Sequence, residues 1–90
     1  MSSRHSVSRF DASRRLSSLS AGTIGYVSRV LREDPDRAER LAALGVTPGA
    51  RIRVLQTFPG VIFECDLTHI AVEPDVAAAI LVDTTTEALP

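Results

Sequence analysis

The residues best suited to chemistry in this chain lie in one short stretch, Glu64-Cys65-Asp66 with His69 three positions on. Two carboxylates, a thiol and an imidazole are donors that suit a divalent first-row metal such as Fe(II). Their spacing argues against a shared ion. In an extended strand alternate side chains leave opposite faces, so Cys65 points away from Glu64 and Asp66, and the set does not converge on one ion. Cys65 is the only cysteine, which rules out an internal disulfide and a multi-thiolate site. It reads instead as a small buried core residue. Glu64, Asp66 and His69 leave open a weak surface metal site, but read first as exposed polar residues beside a turn.

Covalent catalysis is equally poorly served. A nucleophile needs a base and a group that orients that base, yet the sequence has only His5 and His69. Gly45, Gly49 and Gly60 lie at turn and cap positions, which leaves no glycine-rich phosphate loop. A 90-residue chain also buries only roughly two thirds of its unfolded surface, which limits room for a deep pocket. These features predict a protein that is not an enzyme and needs no cofactor.

Charge and hydropathy narrow the class further. The net charge is −1 and all ten basic residues are Arg. The pI of 6.1 is far from the strongly basic value of a dedicated nucleic-acid binder. Apolar runs fall well short of the roughly 20 residues of a membrane span. The N-terminal segment carries Arg and Ser where a signal peptide would be apolar, so a cytoplasmic location is expected. Arg4, Arg9, Arg14 and Arg15 fall in a Ser- and Arg-rich stretch without hydrophobic periodicity. Residues 1–15 therefore read as a disordered, solvated arm, 16–83 as one domain, and 84–90 as a frayed tail.

Within the domain the clearest local signal is a short helix. Asp34 suits the N-cap, Pro35 the first helical position, and Asp36 the positive end of the dipole. Ala38, Leu41 and Ala42 share one face. Gly45 at C′ with Val46 at C″ predicts a Schellman ending, with Val46 against Leu41. Thr47-Pro48-Gly49 then predicts a type II turn.

The remaining segments read as strands. Val27 and Val30 are three apart, so burying both calls for a bulge. Ile52 and Val54 alternate with Arg51 and Arg53, and after the turn Phe58-Pro59-Gly60 the residues Val61, Phe63, Cys65 and Leu67 fall on one face. A hairpin joining the two strands sets Arg53 opposite Glu64 or Asp66. Ile70 and Val72 form another strand, Pro74 to Ala79 a helical turn, and Ile80 to Val82 the last strand. Five short strands and one helix predict a mainly β fold, a small closed barrel.

The same register turns Leu55 and Ile62 outward as neighbours. With Phe58 at the turn they make a small apolar cluster at one end of the hairpin, the expected partner-binding surface.

The pattern Leu19-x-x-Gly22-x-x-Gly25-x-Val27, then Leu41-x-x-Leu44-Gly45-Val46-x-Pro48-Gly49-x-x-Ile52-x-Val54, then Ile70-Ala71-Val72 and Ala77-x-x-Ile80-x-Val82 resembles the ferrous iron transport protein A (FeoA) family. Its most specific part is the helix end reading Leu-Gly-Val-x-Pro-Gly. The resemblance implies an SH3-like β-barrel of the free-standing kind. The implied role is non-enzymatic: assisting ferrous iron uptake by contact with the cytoplasmic part of a ferrous iron permease, a large membrane GTPase. Two alternatives are a metal-responsive regulatory domain, like the C-terminal domain of iron-dependent repressors, and a small nucleic-acid-binding barrel. The stretch from Gln56 to His69 departs from a common form of the family, its short Phe58-Pro59-Gly60 turn standing where a longer excursion is usual.

Overall fold

A computed structural model describes residues 13–84. Most of the proposed arm, 1–12, and the tail from 85 onward lie outside the described residues. Six strands form one antiparallel sheet in the order β1-β6-β2-β3-β4-β5. They are β1 (Ser13–Arg15), β2 (Ile24–Val30), β3 (Arg51–Gln56), β4 (Val61–Cys65), β5 (Thr68–Val72) and β6 (Ile80–Thr84). Helix α1 (Pro35–Ala43) joins β2 to β3, and the one-turn helix α2 (Pro74–Ala77) joins β5 to β6.

The expected mainly β fold is present, with three corrections. The sheet is not closed: β1 and β5 are its ends and do not pair with each other. Ser13–Arg15, assigned to the arm, form a strand that pairs with Leu81 to Asp83 of β6. Thr84 likewise ends β6 and pairs with Gly25, although it was assigned to the tail.

Local chemistry explains the helix. The Asp34 side chain accepts a hydrogen bond from the Arg37 amide at 3.2 Å, and Pro35 opens the first turn. At the other end Gly45 has φ +94°. The Gly45 amide donates to the Ala42 carbonyl and that of Val46 to the Leu41 carbonyl, both at 2.9 Å, which is the Schellman pair. Ala38, Leu41 and Val46 are buried. Ala42 is exposed, contrary to expectation, so the buried stripe is narrower than the helical wheel suggests.

The turn after the helix is closed by the Ala50 amide donating to the Thr47 carbonyl at 2.9 Å, with Gly49 at φ +93° as type II geometry requires. It is tied to β2 by the Gly49 amide on the Val27 carbonyl and the Val27 amide on the Ala50 carbonyl.

The bulge that Val27 and Val30 demand is in β2, where the register against β6 shifts between Val27 and Arg29. Ser28 holds it: its hydroxyl donates to the Leu81 carbonyl at 3.2 Å. Having one proton, Ser28 Oγ then accepts from Ser13 Oγ, 3.0 Å away. The core between sheet and helix is aliphatic apart from Phe63 and Cys65, and includes Leu16, Val27, Leu41, Val46, Ile52, Val54, Ile80 and Val82.

Candidate functional site

Strands β3 and β4 pair in the expected register, with Ile52 opposite Cys65, Arg53 opposite Glu64 and Val54 opposite Phe63. Beyond Val54 the register shifts, so that Gln56 stands opposite Ile62 and Leu55 occupies a bulge. The bulge alters the candidate surface. Leu55 and Ile62 are each half-buried, whereas Phe58 at the turn is 84% exposed. Thus the three residues share one end of the hairpin, and Phe58 supplies most of its free apolar surface.

The other end of the hairpin is polar. Arg51, Arg53, Glu64, Asp66 and Leu67 line an open groove there. Glu64 is flanked on both sides: Arg53 Nη2 is 3.4 Å from its Oε1, and His69 Nε2 is 4.0 Å from its Oε2. His69 stands opposite Glu64 across the β4–β5 ladder. A carboxylate facing a guanidinium is a poor cation ligand, because the Arg charge repels the ion. No cluster of three or more His, Cys, Asp or Glu able to hold a metal occurs among the described residues.

Cys65 lies on the opposite face, buried, with Sγ 3.5 Å from the Gly45 carbonyl. Burial, assisted by the Asp66 charge, pushes its thiol pKa above the ordinary value. A thiol held in its neutral form is neither a good nucleophile nor a ready ligand.

Leu67 corrects the sequence reading. It was expected to continue the inner face after Cys65 but is 96% exposed. Asp66 adopts φ +49° and starts a two-residue turn, so β4 ends at Cys65, which pairs with Thr68. Alternation stops where the chain reverses.

Sequence reasoning missed one surface, a groove between α1 and the outer side of β5. Arg37, Arg40, Leu41 and Leu44 form one wall, Ile70, Ala71 and Val72 the other, and Glu73 and Val76 close it. Leu44 is half exposed there. The signal available was Leu44 itself, an apolar residue at the helix C-cap that the Schellman contact does not use.

This architecture defines a small SH3-like β domain with one capped helix and, among the described residues, two sheet edges that no further strand covers. The chain belongs to the FeoA family: the FeoA domain matches residues 14–84. Among solved structures it is similar to an iron uptake regulatory protein (FeoA), with 27% identity, TM-score 0.73, and coverage of 81% of this chain and 97% of that one. It is also similar to the T. acidophilum protein IdeR, at 30% identity and TM-score 0.76, over 82% of this chain but only 35% of that one. A zinc-complexed FeoA of Stenotrophomonas maltophilia, described as a procaryotic SH3 domain protein, shares the fold at 24% identity and TM-score 0.69, covering 76% and 87%. No curated protein sequence matches the chain. The family is one of small domains implicated in ferrous iron transport, and no described helix is long and apolar enough to cross a membrane.

Proposed function

We propose that this domain is a non-enzymatic accessory of ferrous iron uptake that works in the cytoplasm by contact with the cytoplasmic part of a ferrous iron permease. The contact is made by the hairpin end carrying Leu55, Phe58 and Ile62, and the domain does not itself hold iron. The observation that carries this reading is Phe58, a large aromatic side chain 84% exposed at the turn. Aromatic side chains at such positions are frequent anchors of protein interfaces. Family membership supports the connection to iron transport, and the ion-paired Glu64 gives no support to an iron site on the polar end of the hairpin.

The test is a pull-down of the permease's soluble domain with the wild-type chain and with Phe58→Ser, beside an Fe(II) uptake assay. Phe58→Ser should keep the wild-type melting temperature while binding and uptake both fall. Leu55→Ser and Ile62→Ser should weaken binding too, with some loss of stability because both are half-buried. Unchanged binding and uptake in Phe58→Ser would eliminate this surface.

A second reading follows from the likeness to repressors, in which this chain matches 42% of a manganese-dependent transcriptional repressor at TM-score 0.76. On that reading the domain is a metal-responsive regulatory module. Stoichiometric Fe(II) or Mn(II) binding by the purified protein would favour it over the transport role.

A further inference from the structure

We propose that the groove between α1 and β5 takes an extended acidic-apolar peptide from another protein, which adds to the sheet as a seventh strand beside β5. The inference begins with hydrogen-bond parity. In a hairpin with a two-residue turn the flanking pair, here Cys65 and Thr68, is hydrogen-bonded, and such pairs alternate with non-bonded ones. Phe63 with Ile70 and Val61 with Val72 are therefore the bonded pairs. The parity agrees with the next ladder, where Val54 turns its amide toward β2 and donates to Thr23.

His69 and Ala71 accordingly direct their amides and carbonyls away from β4, toward the free side of β5. No described strand pairs there. Ala71 also lines the groove. Unsatisfied backbone groups on a strand edge select an extended polypeptide, and a helix running beside that edge supplies side-chain contacts, as in β-strand addition generally.

Side-chain chemistry narrows the occupant. Leu44, half exposed, and the partly buried Val76 offer apolar surface for alternate residues of an added strand, over a floor of the buried Leu41 and Ile70. Arg37 already pairs with Asp75 at 3.9 Å. Arg40, exposed on the last turn of α1, has no ion-pair partner among the described residues. The open charge on the helix wall is thus positive and calls for a carboxylate between the apolar positions, while Glu73 at the groove's end disfavours further acid there. The groove shares no lining residue with the hairpin end carrying Leu55, Phe58 and Ile62, so each contact can be removed without substituting the other.

The probe is a fluorescein-labelled peptide of alternating Val and Glu, titrated into the full chain by anisotropy, with hydrogen exchange followed by NMR. Saturable binding is expected, with slowed exchange at the His69 and Ala71 amides. N-methylation of the peptide on the edge that meets β5 should abolish it. Arg40→Glu should weaken it about fivefold, as the loss of an exposed ion pair implies. An alternating Val and Lys peptide should bind less well than the acidic one.

Absence of saturable binding, indifference to N-methylation, equal binding of the Lys peptide, or protection confined to other strands would each overturn the proposal. Concentration-dependent self-association that protects the same two amides without peptide would also overturn it, by making a second copy the occupant of the edge.

Discussion

Gly25 lies so close to Asp83 across the β2–β6 ladder that a Cβ on Gly25 would come 2.6 Å from the Asp83 carbonyl oxygen, and 2.7 Å from Cγ1 of Val82. The glycine is required by this approach of one strand to another, not by a left-handed backbone. Gly25→Ala should therefore destabilise the domain by roughly 1–3 kcal/mol, the range for forcing an added carbon into a packed site. Urea melts of the two proteins check this. An unchanged midpoint would mean that β2 and β6 are further apart than described.

Leu41 and Phe63 fill the core from the helix and from the sheet, and both are buried. Leu41→Ala and Phe63→Ala should each cost roughly 2–5 kcal/mol, combining lost transfer energy with a residual cavity. For a domain of this size that is a large part of the total stability. Denaturant midpoints should fall in both variants, and retention of the wild-type value in both would contradict the packing of α1 on the sheet.

Cys65 gives a prediction in pH. Burial and Asp66 raise its thiol pKa, so the folded state holds the proton more tightly than the unfolded chain. This contribution to stability is fully present below the ordinary thiol pKa of about 8.5 and is lost as pH rises through the higher folded value. Stability measured by denaturant should thus be insensitive to this group near neutrality and decline in alkaline buffer, and Cys65→Ala should flatten that decline. A thiol reagent at neutral pH should label unfolded protein far faster than native protein. Rapid native labelling would show that the thiol is accessible.

What the sequence disclosed and what it concealed divide along physical lines. The helix ends were legible because caps act locally: Asp34, Pro35 and Gly45 each satisfy or spare backbone groups within one turn. The β2 bulge was legible because two valines three apart cannot both face inward on a regular strand. The strand Ser13–Arg15 was not, since it has no alternation and depends on pairing with residues almost seventy positions away. The open sheet escaped notice for a related reason: whether terminal strands meet is set by accumulated twist and bulges, not by a local pattern. Of the candidate surface, Phe58 was readable from its turn, but the register shift at Leu55 carries no sequence mark and leaves Leu55 and Ile62 half-buried. The groove beside β5 was invisible because its walls come from segments about thirty residues apart.

The Asp66-Leu67 turn supplies the last prediction, because it is where alternation misled. Continuing the pattern from Val61, Phe63 and Cys65 would bury Leu67, and its replacement by Ser would then cost as much as other core polar substitutions. In the structure Leu67 is 96% exposed and Asp66 holds φ +49°. Leu67→Ser should therefore change stability by no more than about 0.5 kcal/mol. Asp66→Val should cost roughly 1–2 kcal/mol, since a β-branched residue is strained in the left-handed region that Asp tolerates. Asp66→Gly should be far milder than Asp66→Val, because Gly enters that region freely. Thermal melts of the three variants separate the two registers. A large loss in Leu67→Ser together with a neutral Asp66→Val would restore the uninterrupted strand, and with it a longer β4 whose edge runs past Cys65. The order expected here, with Asp66→Val the least stable of the three, places the chain reversal at Asp66 and fixes the parity by which Ala71 and His69 present their backbone groups outward.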